Sequence, residues 1–248
     1  MEFRTIFRKG LFSLAVGLAC WLPDTPPAVA EWHGSLTFLS DYIYRGYSKN
    51  QGNPLAQAHL DYQHEIGWFA GLGLSQVRFD DQTNSNRAEI EIKPYFGRNW
   101  PIDRDWRAEL SVSGYLFDNK LFNHSADYAE YSASLHFRDW LSATISVAPN
   151  AYQRQADVPN YELNYRRDIW DTVQFSAGLG YHQAGRLLGQ DYFYWNAGLS
   201  WFVNEHLSVD MRYLDAALTA HHHADPNQDE FYPRPQDDRY LFSVTVGF

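Results

Sequence analysis

Charged side chains recur two residues apart along much of this chain: His59 and Asp61; Glu89, Glu91 and Lys93; Arg107 and Glu109; Asp210 and Arg212. Asp41 and Arg45 keep the same parity four residues apart, and Glu130, His136, Glu162 and Arg239 sit in similar surroundings. Mixed charge at a period of two has two uses. Along a water-filled path it sets ion or solute preference; in a narrow interior it forms structural ion pairs. Among these candidates acids outnumber Lys and Arg eight to five, so a path lined by them has a weak preference for cations. On one extended strand Asp41 and Arg45 would lie roughly 13 Å apart at about 3.3 Å per residue. They cannot pair with each other, and each needs a partner on a neighbouring strand, such as His59 or Asp61.

Two other groupings could carry chemistry. Ser134 with His136, and His206 with Ser208, have residue types for a hydrolytic relay, which needs a third, orienting group. No G-x-S-x-G run accompanies them, and no catalytic residue is expected. His221, His222 and His223, followed by Asp225, Asp229 and Glu230, are ligand types for zinc or nickel. Three consecutive imidazoles converge poorly on one ion, so neither a metal nor another cofactor is expected.

The elements that position these residues alternate rather than coil. Ala88-Glu89-Ile90-Glu91-Ile92-Lys93 has one apolar and one charged face, as do Trp106 to Ser113 and Leu207 to Tyr213. Successive strand side chains point to opposite faces. Twelve such segments are predicted, at about 34–45, 55–65, 68–79, 87–97, 105–117, 127–138, 140–150, 159–166, 170–182, 191–202, 206–215 and 238–248. Several are about eleven residues long, enough for a tilted membrane-spanning strand. Short links (65–67, 98–104, 138–139, 166–168, 204–205) alternate with longer polar ones (46–54, 80–86, 118–126, 151–158, 183–190, 216–237), the pattern of outer-membrane barrels.

Composition fits this reading. The 248 residues include 16 Phe, 9 Trp and 17 Tyr, yet mean hydropathy is -0.48. That average excludes a multi-span helical membrane protein, and the aromatics exclude disorder. A net charge of -10 argues against a nucleic-acid partner. Trp32, Trp68, Trp100, Trp106, Trp140, Trp170 and Trp201 fall at the short-link ends, with Trp195 the exception. Tyr42, Tyr44, Tyr47, Tyr115, Tyr128, Tyr152, Tyr192 and Tyr194 gather at the other ends. Two interfacial aromatic girdles are therefore expected.

The ends of the chain carry address signals. Arg4, Arg8 and Lys9, an apolar stretch from Leu11 to Leu22, and Ala28-Val29-Ala30 read as a cleaved signal peptide over residues 1–30. The barrel would then occupy 31–248, with 17 bases, 28 acids and no cysteine. Tyr240, Phe242, Val244, Val246 and Phe248 form a terminal apolar face. A strand of this form, ending in Phe248, is the kind that barrel-assembly machinery recognises.

The run Ser40-Asp41-Tyr42-Ile43-Tyr44-Arg45-Gly46-Tyr47-Ser48 resembles the motif S-D-Y-x-x-R-G-x-S. Pro54, Gln57, Asp61-Tyr62, His64, Gly67, Trp68-Phe69 and Gly71 follow in matching order. Looser likenesses extend through Asp127 to Tyr131, Tyr161 to Tyr165 and Asp191 to Leu199. Together these resemble a Gram-negative outer-membrane family described as conserved hypothetical proteins, or TorF-type porins. The chain departs from it at Ala148-Pro149-Asn150-Ala151-Tyr152, where the family tends to show S-P-D-Y.

The combined expectation is an all-β, antiparallel transmembrane barrel of about twelve strands in the cell outer membrane. It would have short periplasmic turns, longer extracellular loops and both termini in the periplasm. Its partners would be outer-membrane lipid, the assembly machinery and the small polar solutes or ions it passes. The alternatives are a lipid-modifying outer-membrane hydrolase and a plugged structural or adhesive barrel, in which only 216–237 is long enough to dock a partner.

Overall fold

The computed structural model describes residues 31–79, 87–219, 231 and 233–248. The expected leader at 1–30 and the histidine run at 221–223 lie outside the described residues. Twelve strands close into one antiparallel barrel. They are β1 (Glu31–Leu39), β4 (Leu55–Gln63), β5 (Trp68–Gln76), β6 (Ile90–Pro101), β7 (Trp106–Phe117), β8 (Tyr128–Phe137), β9 (Leu141–Ala148), β10 (Val158–Trp170), β11 (Val173–His182), β12 (Tyr192–Phe202), β13 (Leu207–Ala216) and β15 (Arg239–Gly247). Each pairs with its sequence neighbour in the wall, and β1 with β15 closes the seam, Ser35 opposite Gly247. Closure leaves the barrel without a free edge.

Alternation explains the wall. Leu36, Leu60, Leu72, Phe96, Leu110, Leu135, Ile145, Leu163, Leu179 and Leu199 all point outward and are exposed. A continuous apolar exterior of this kind suits hydrocarbon rather than water. Thr37, Gln57, Ser75, Glu91, Arg107, Glu130, Ser146, Asn160 and Ser200 point inward and are buried. Pro94 lies within β6, and the ladder with β7 skips Lys93 and Pro94, where proline has no N–H to offer.

Three short strands do not belong to the wall. β2 (Ile43–Tyr44), β3 (Tyr47–Ser48) and β14 (Arg234–Pro235) form a separate sheet in the order β14-β3-β2. The predicted first strand at 34–45 is thereby corrected. The wall strand ends at Leu39, and the following residues turn into the barrel. No glycine or proline occurs between Leu39 and Gly46, so no breaker residue marks the bend. At the other boundaries the differences are a few residues, the largest at the ends of β6, which runs to Pro101 rather than to 97, and of β10, which runs to Trp170 rather than to 166.

The aromatic distribution also needs correction at one end. Trp32, Trp106, Trp170 and Trp201 are exposed at the short-turn end, as an interfacial belt requires. The tyrosines expected to form the second girdle instead point inward: Tyr47, Tyr115, Tyr128, Tyr152 and Tyr192 are buried, and Tyr42, Tyr44 and Tyr194 pack against them. They belong to an apolar core inside the long-loop mouth. Tyr47, Phe79, Leu121, Tyr152, Leu187, Leu188, Leu218 and Phe231 bring contributions to it from all six long connections. Tyr152 stacks on Phe231 at 4.2 Å, and its hydroxyl lies 2.8 Å from that of Tyr47. The outward aromatics at that end are different residues: Phe38, Tyr161, Phe193 and Tyr240.

One short turn is constrained tightly enough to test. Gly67 has φ +87, and a Cβ there would lie 2.4 Å from the Asn99 carbonyl oxygen. Gly67→Ala combines left-handed strain with a backbone collision and should cost about 1–3 kcal/mol. A lower urea midpoint for the micelle-embedded barrel is the expected result; an unchanged midpoint would contradict this account of the turn.

Candidate functional site

The inturned segment is built by the residues of the Ser40 to Ser48 run. Arg45 at φ 48 and Gly46 at φ 87 form the two-residue turn between β2 and β3, the pairing of positive φ angles that a tight hairpin favours. Gly46 is also needed for space, since a Cβ there would meet the Ala216 side chain at 2.6 Å. At the base of the hairpin the Asp41 carboxylate accepts hydrogen bonds from Tyr42 N at 2.7 Å and Ser48 Oγ at 2.6 Å. Ser48 Oγ in turn accepts from Asn50 N at 3.0 Å and Gly52 N at 3.2 Å. Burial pushes the Asp41 carboxyl above its ordinary range. The motif is therefore a folding plan for a hairpin, with the aspartate tying its base and the arginine at its tip.

The tip crosses the lumen. Arg45 donates to Glu130 on β8 at 2.6 and 3.0 Å and to Ser146 on β9 at 2.8 Å. Its Nε lies 4.0 Å from Glu162 on β10. Tyr192 on β12 donates to the Arg45 carbonyl at 2.5 Å, and Gln236 N donates to that of Gly46 at 3.0 Å. Just past the hairpin, Lys49 Nζ lies 2.6 Å from Glu91 on β6, both side chains being almost fully buried. The ammonium also sits 5.0, 4.2 and 4.8 Å from the ring centres of Tyr42, Tyr44 and Tyr115, so aromatic faces replace part of its lost hydration. Burial pushes Lys49 down to about 8 despite the carboxylate beside it.

The other expected lumen residues are placed as follows. His59 and Asp61 face inward, half-buried, on β4. Glu91 and Lys93 face inward on β6, with Lys93 Nζ 5.0 Å over the Tyr115 ring. Arg107 and Glu109 are buried on β7 toward the short-turn end, where His136 Nε2 lies 3.7 Å from Glu109. On β13, Arg212 donates to Asn196 at 2.6 Å, Ser176 at 2.7 Å and Asp210 at 3.3 Å. Asp210 also accepts from Ser200 at 2.6 Å.

Two expectations change. Glu89 is not in the lumen. It precedes β6, is exposed, and pairs with Arg87 at 3.3 Å, because the wall ladder ends at the Gln76–Ile90 pair and parity loses its meaning beyond it. Asp41 and Arg45 do not pair with each other, as expected, but their partners are not His59 or Asp61. Asp41 is held within the base of its own hairpin, and the Arg45 tip, having crossed the lumen, meets the far wall rather than the adjacent strand.

Lys49 is the main charged residue that the parity argument missed. It lies in a connection, where alternation says nothing; the Arg45-Gly46 pair was the available turn signal. The Ser–His pairs do not form relays in this arrangement: Ser134 pairs with Thr144 at 2.9 Å and His206 with the Gly247 carbonyl at 3.1 Å. Among the described residues no group of three His, Cys, Asp or Glu is placed to hold a metal ion.

Below the hairpin tip lies a cavity of about 130 Å³. Its walls include Lys93, Ser132, Thr144, Glu162, Asn196 and Arg212, and Arg45 and Glu130 form part of its roof.

Lys49→Met would leave Glu91 buried without its cation and should cost about 3–5 kcal/mol in urea unfolding. Lys49→Met with Glu91→Gln should cost less than the two single changes added together. The pH dependence has a definite sign. Because burial lowers the Lys49 value to about 8 from 10.5, the unfolded chain binds more protons in that window. The contribution of Lys49 to stability therefore rises between pH 8 and 10.5 and is lost as pH falls through about 8. Unfolding wild type against Lys49→Met across this window checks it; a difference that shrinks with rising pH would refute it.

Solved structures with the same fold include the KdgM porin in complex with disordered oligogalacturonate. It matches with a TM-score of 0.53 at 8% identity, covering 88% of this chain and 98% of the porin. The COG4313 outer membrane channel from Pseudomonas putida F1 matches with a TM-score of 0.51 at 9% identity, covering 92% of this chain and 100% of the channel. At these identities the likeness is one of fold. No curated protein matches the chain. The profile of a bacterial family of unknown function matches residues 24–248. The chain belongs to that family, Gcw_chp.

Proposed function

We propose that this chain is an outer-membrane channel through which small polar solutes or ions diffuse passively, with no cofactor and no catalytic step. The observation that carries this reading is the inner wall. Every barrel strand turns polar side chains inward, and below the hairpin short hydroxyls, such as Ser132, Thr144 and Ser146, border space rather than a packed core. Twelve strands lie between the small filled barrels and the sixteen-stranded porins, which is consistent with a narrow path. The outer-membrane channels that share the fold support the same reading.

In this reading the long connections face outward from the cell, and the short turns, the tryptophan belt and both ends of the barrel lie on the periplasmic side. Residues 1–30 are the export leader, removed on the way. Tyr240, Phe242, Val244, Val246 and Phe248 all lie on the exposed outer face, as a strand presented to the assembly machinery and then to lipid requires. Lumen acids (Asp61, Glu91, Glu109, Glu130, Glu162, Asp210) face the bases Arg45, Lys49, Lys93, Arg107 and Arg212 in nearly equal number. Any cation preference is accordingly weak.

A second reading has a specific observation behind it. The apolar core in the long-loop mouth is what a permanently plugged barrel would have. Recording in a planar bilayer separates the two. The channel reading expects discrete conductance steps smaller than those of sixteen-stranded porins, with a reversal potential displaced slightly toward the cation value in a KCl gradient. Excision of the hairpin from Tyr42 to Lys49 should raise the step size. Folded protein that never conducts would overturn the channel reading in favour of the plug.

A further inference from the structure

The cavity under the Arg45 tip holds charges of both signs, and Lys93 makes no direct ion pair among the described residues while Arg45 pairs with Glu130 and Arg212 with Asp210. Lys93 on β6 points into it with no hydrogen-bond acceptor among the described residues; its Nζ lies over the Tyr115 ring at 5.0 Å. Glu162 enters from β10, four strands further round the wall. Tyr194 donates to its Oε1, which also lies 4.0 Å from Arg45 Nε, and nothing among the described residues donates to Oε2. Glu130 differs, since its two oxygens already take Arg45 at 2.6 and 3.0 Å. Arg212 spends its terminal nitrogens largely on neutral groups, Asn196 and Ser176, and its buried Nε has no partner.

Separated, half-satisfied charges of opposite sign select against a ligand carrying only one. An anion drawn to Lys93 would face Glu130 and Glu162, and a cation drawn to Glu162 would face Lys93, Arg45 and Arg212. A molecule with a carboxylate at one end and an ammonium at the other satisfies both. The space of about 130 Å³ is well above what a single water needs on the same measure, roughly 10–15 Å³, so it has room for a small solute.

We propose that this cavity is a binding site for a small zwitterion of the amino-acid class, its carboxylate on Lys93 Nζ and its ammonium on Glu162 Oε2. The site deepens the channel reading, and rests on it for the route by which solute arrives, by naming what the path would hold on the way through. Asn196, Ser132 and Thr144 complete the polar wall around the solute.

Equilibrium dialysis of radiolabelled L-alanine against the folded, micelle-embedded barrel tests the proposal without requiring transport. Saturable binding is expected, with acetate and ethylammonium each competing about tenfold less well than unlabelled alanine. Lys93→Met and Glu162→Gln should each weaken binding by about tenfold or more, the loss of one charge-assisted contact, while Lys93→Arg retains it. Should a variant fail to fold, as judged by the heat-modifiable mobility of the barrel on gels, the competition with wild type still decides. Absence of saturable binding by folded protein, or equal competition by acetate or ethylammonium, would overturn the proposal. Conductance without alanine binding would sink this site and leave the channel reading standing. Binding without conductance would do the reverse.

Discussion

Closure of the hydrogen-bonded ladder is the constraint on which the rest of this structure depends. Once β1 pairs with β15, every wall residue has only two directions available, into lipid-like surroundings or into an enclosed interior. Backbone polar groups are satisfied around the ring. The inward half of each strand is shielded from bulk solvent, so Glu91 and Glu130 take cations from the segment that enters the enclosed space, while Asp210 and Arg212 pair with each other and with groups on nearby strands. The pairs Lys49–Glu91 and Arg45–Glu130 follow from that enclosure as much as from the identity of the residues.

The hairpin reverses the usual relation between a barrel and its first loop. Instead of lying over the mouth, residues 43–48 enter it and are held by both kinds of force. Polar contacts fix the tip, through Glu130, Ser146 and Tyr192. Aromatic packing fixes the flank, where Tyr47 meets Tyr152 and Phe231. Because all six long connections contribute to that core, the mouth behaves as a small soluble domain set into a membrane-type wall. The cavity lies directly beneath it, so the hairpin roof and the strand walls define one site.

Much of the wall was legible in the chain. Strand number, the side on which long connections lie, and the inward parity of His59, Asp61, Glu91, Lys93, Arg107, Glu109, Asp210 and Arg212 all follow from a period of two. The tryptophans were legible too, because an indole at a strand end next to a short turn has little to do but sit at an interface. The tyrosines were not. A phenol at a strand end can point outward to an interface or inward to a core, and parity alone does not say whether loops fill the space it points into. Tyr115 and Tyr161 illustrate the ambiguity: both lie near the long-loop end, one buried and one exposed.

The sequence by itself determined that the chain closes into a barrel with a greasy outside and a charged inside, since alternation, turn spacing and a polar average rich in aromatics are local properties. Tertiary structure alone decided where the Asp41 to Ser48 segment goes. No glycine or proline separates it from β1 before Gly46, and only the turn at Arg45-Gly46, together with carboxylates waiting on β6 and β8, makes an inward hairpin more favourable than a longer strand. Partner choice across a lumen depends on residues that are distant in sequence and adjacent only after closure, so no spacing rule could assign Arg45 to Glu130 or Lys49 to Glu91.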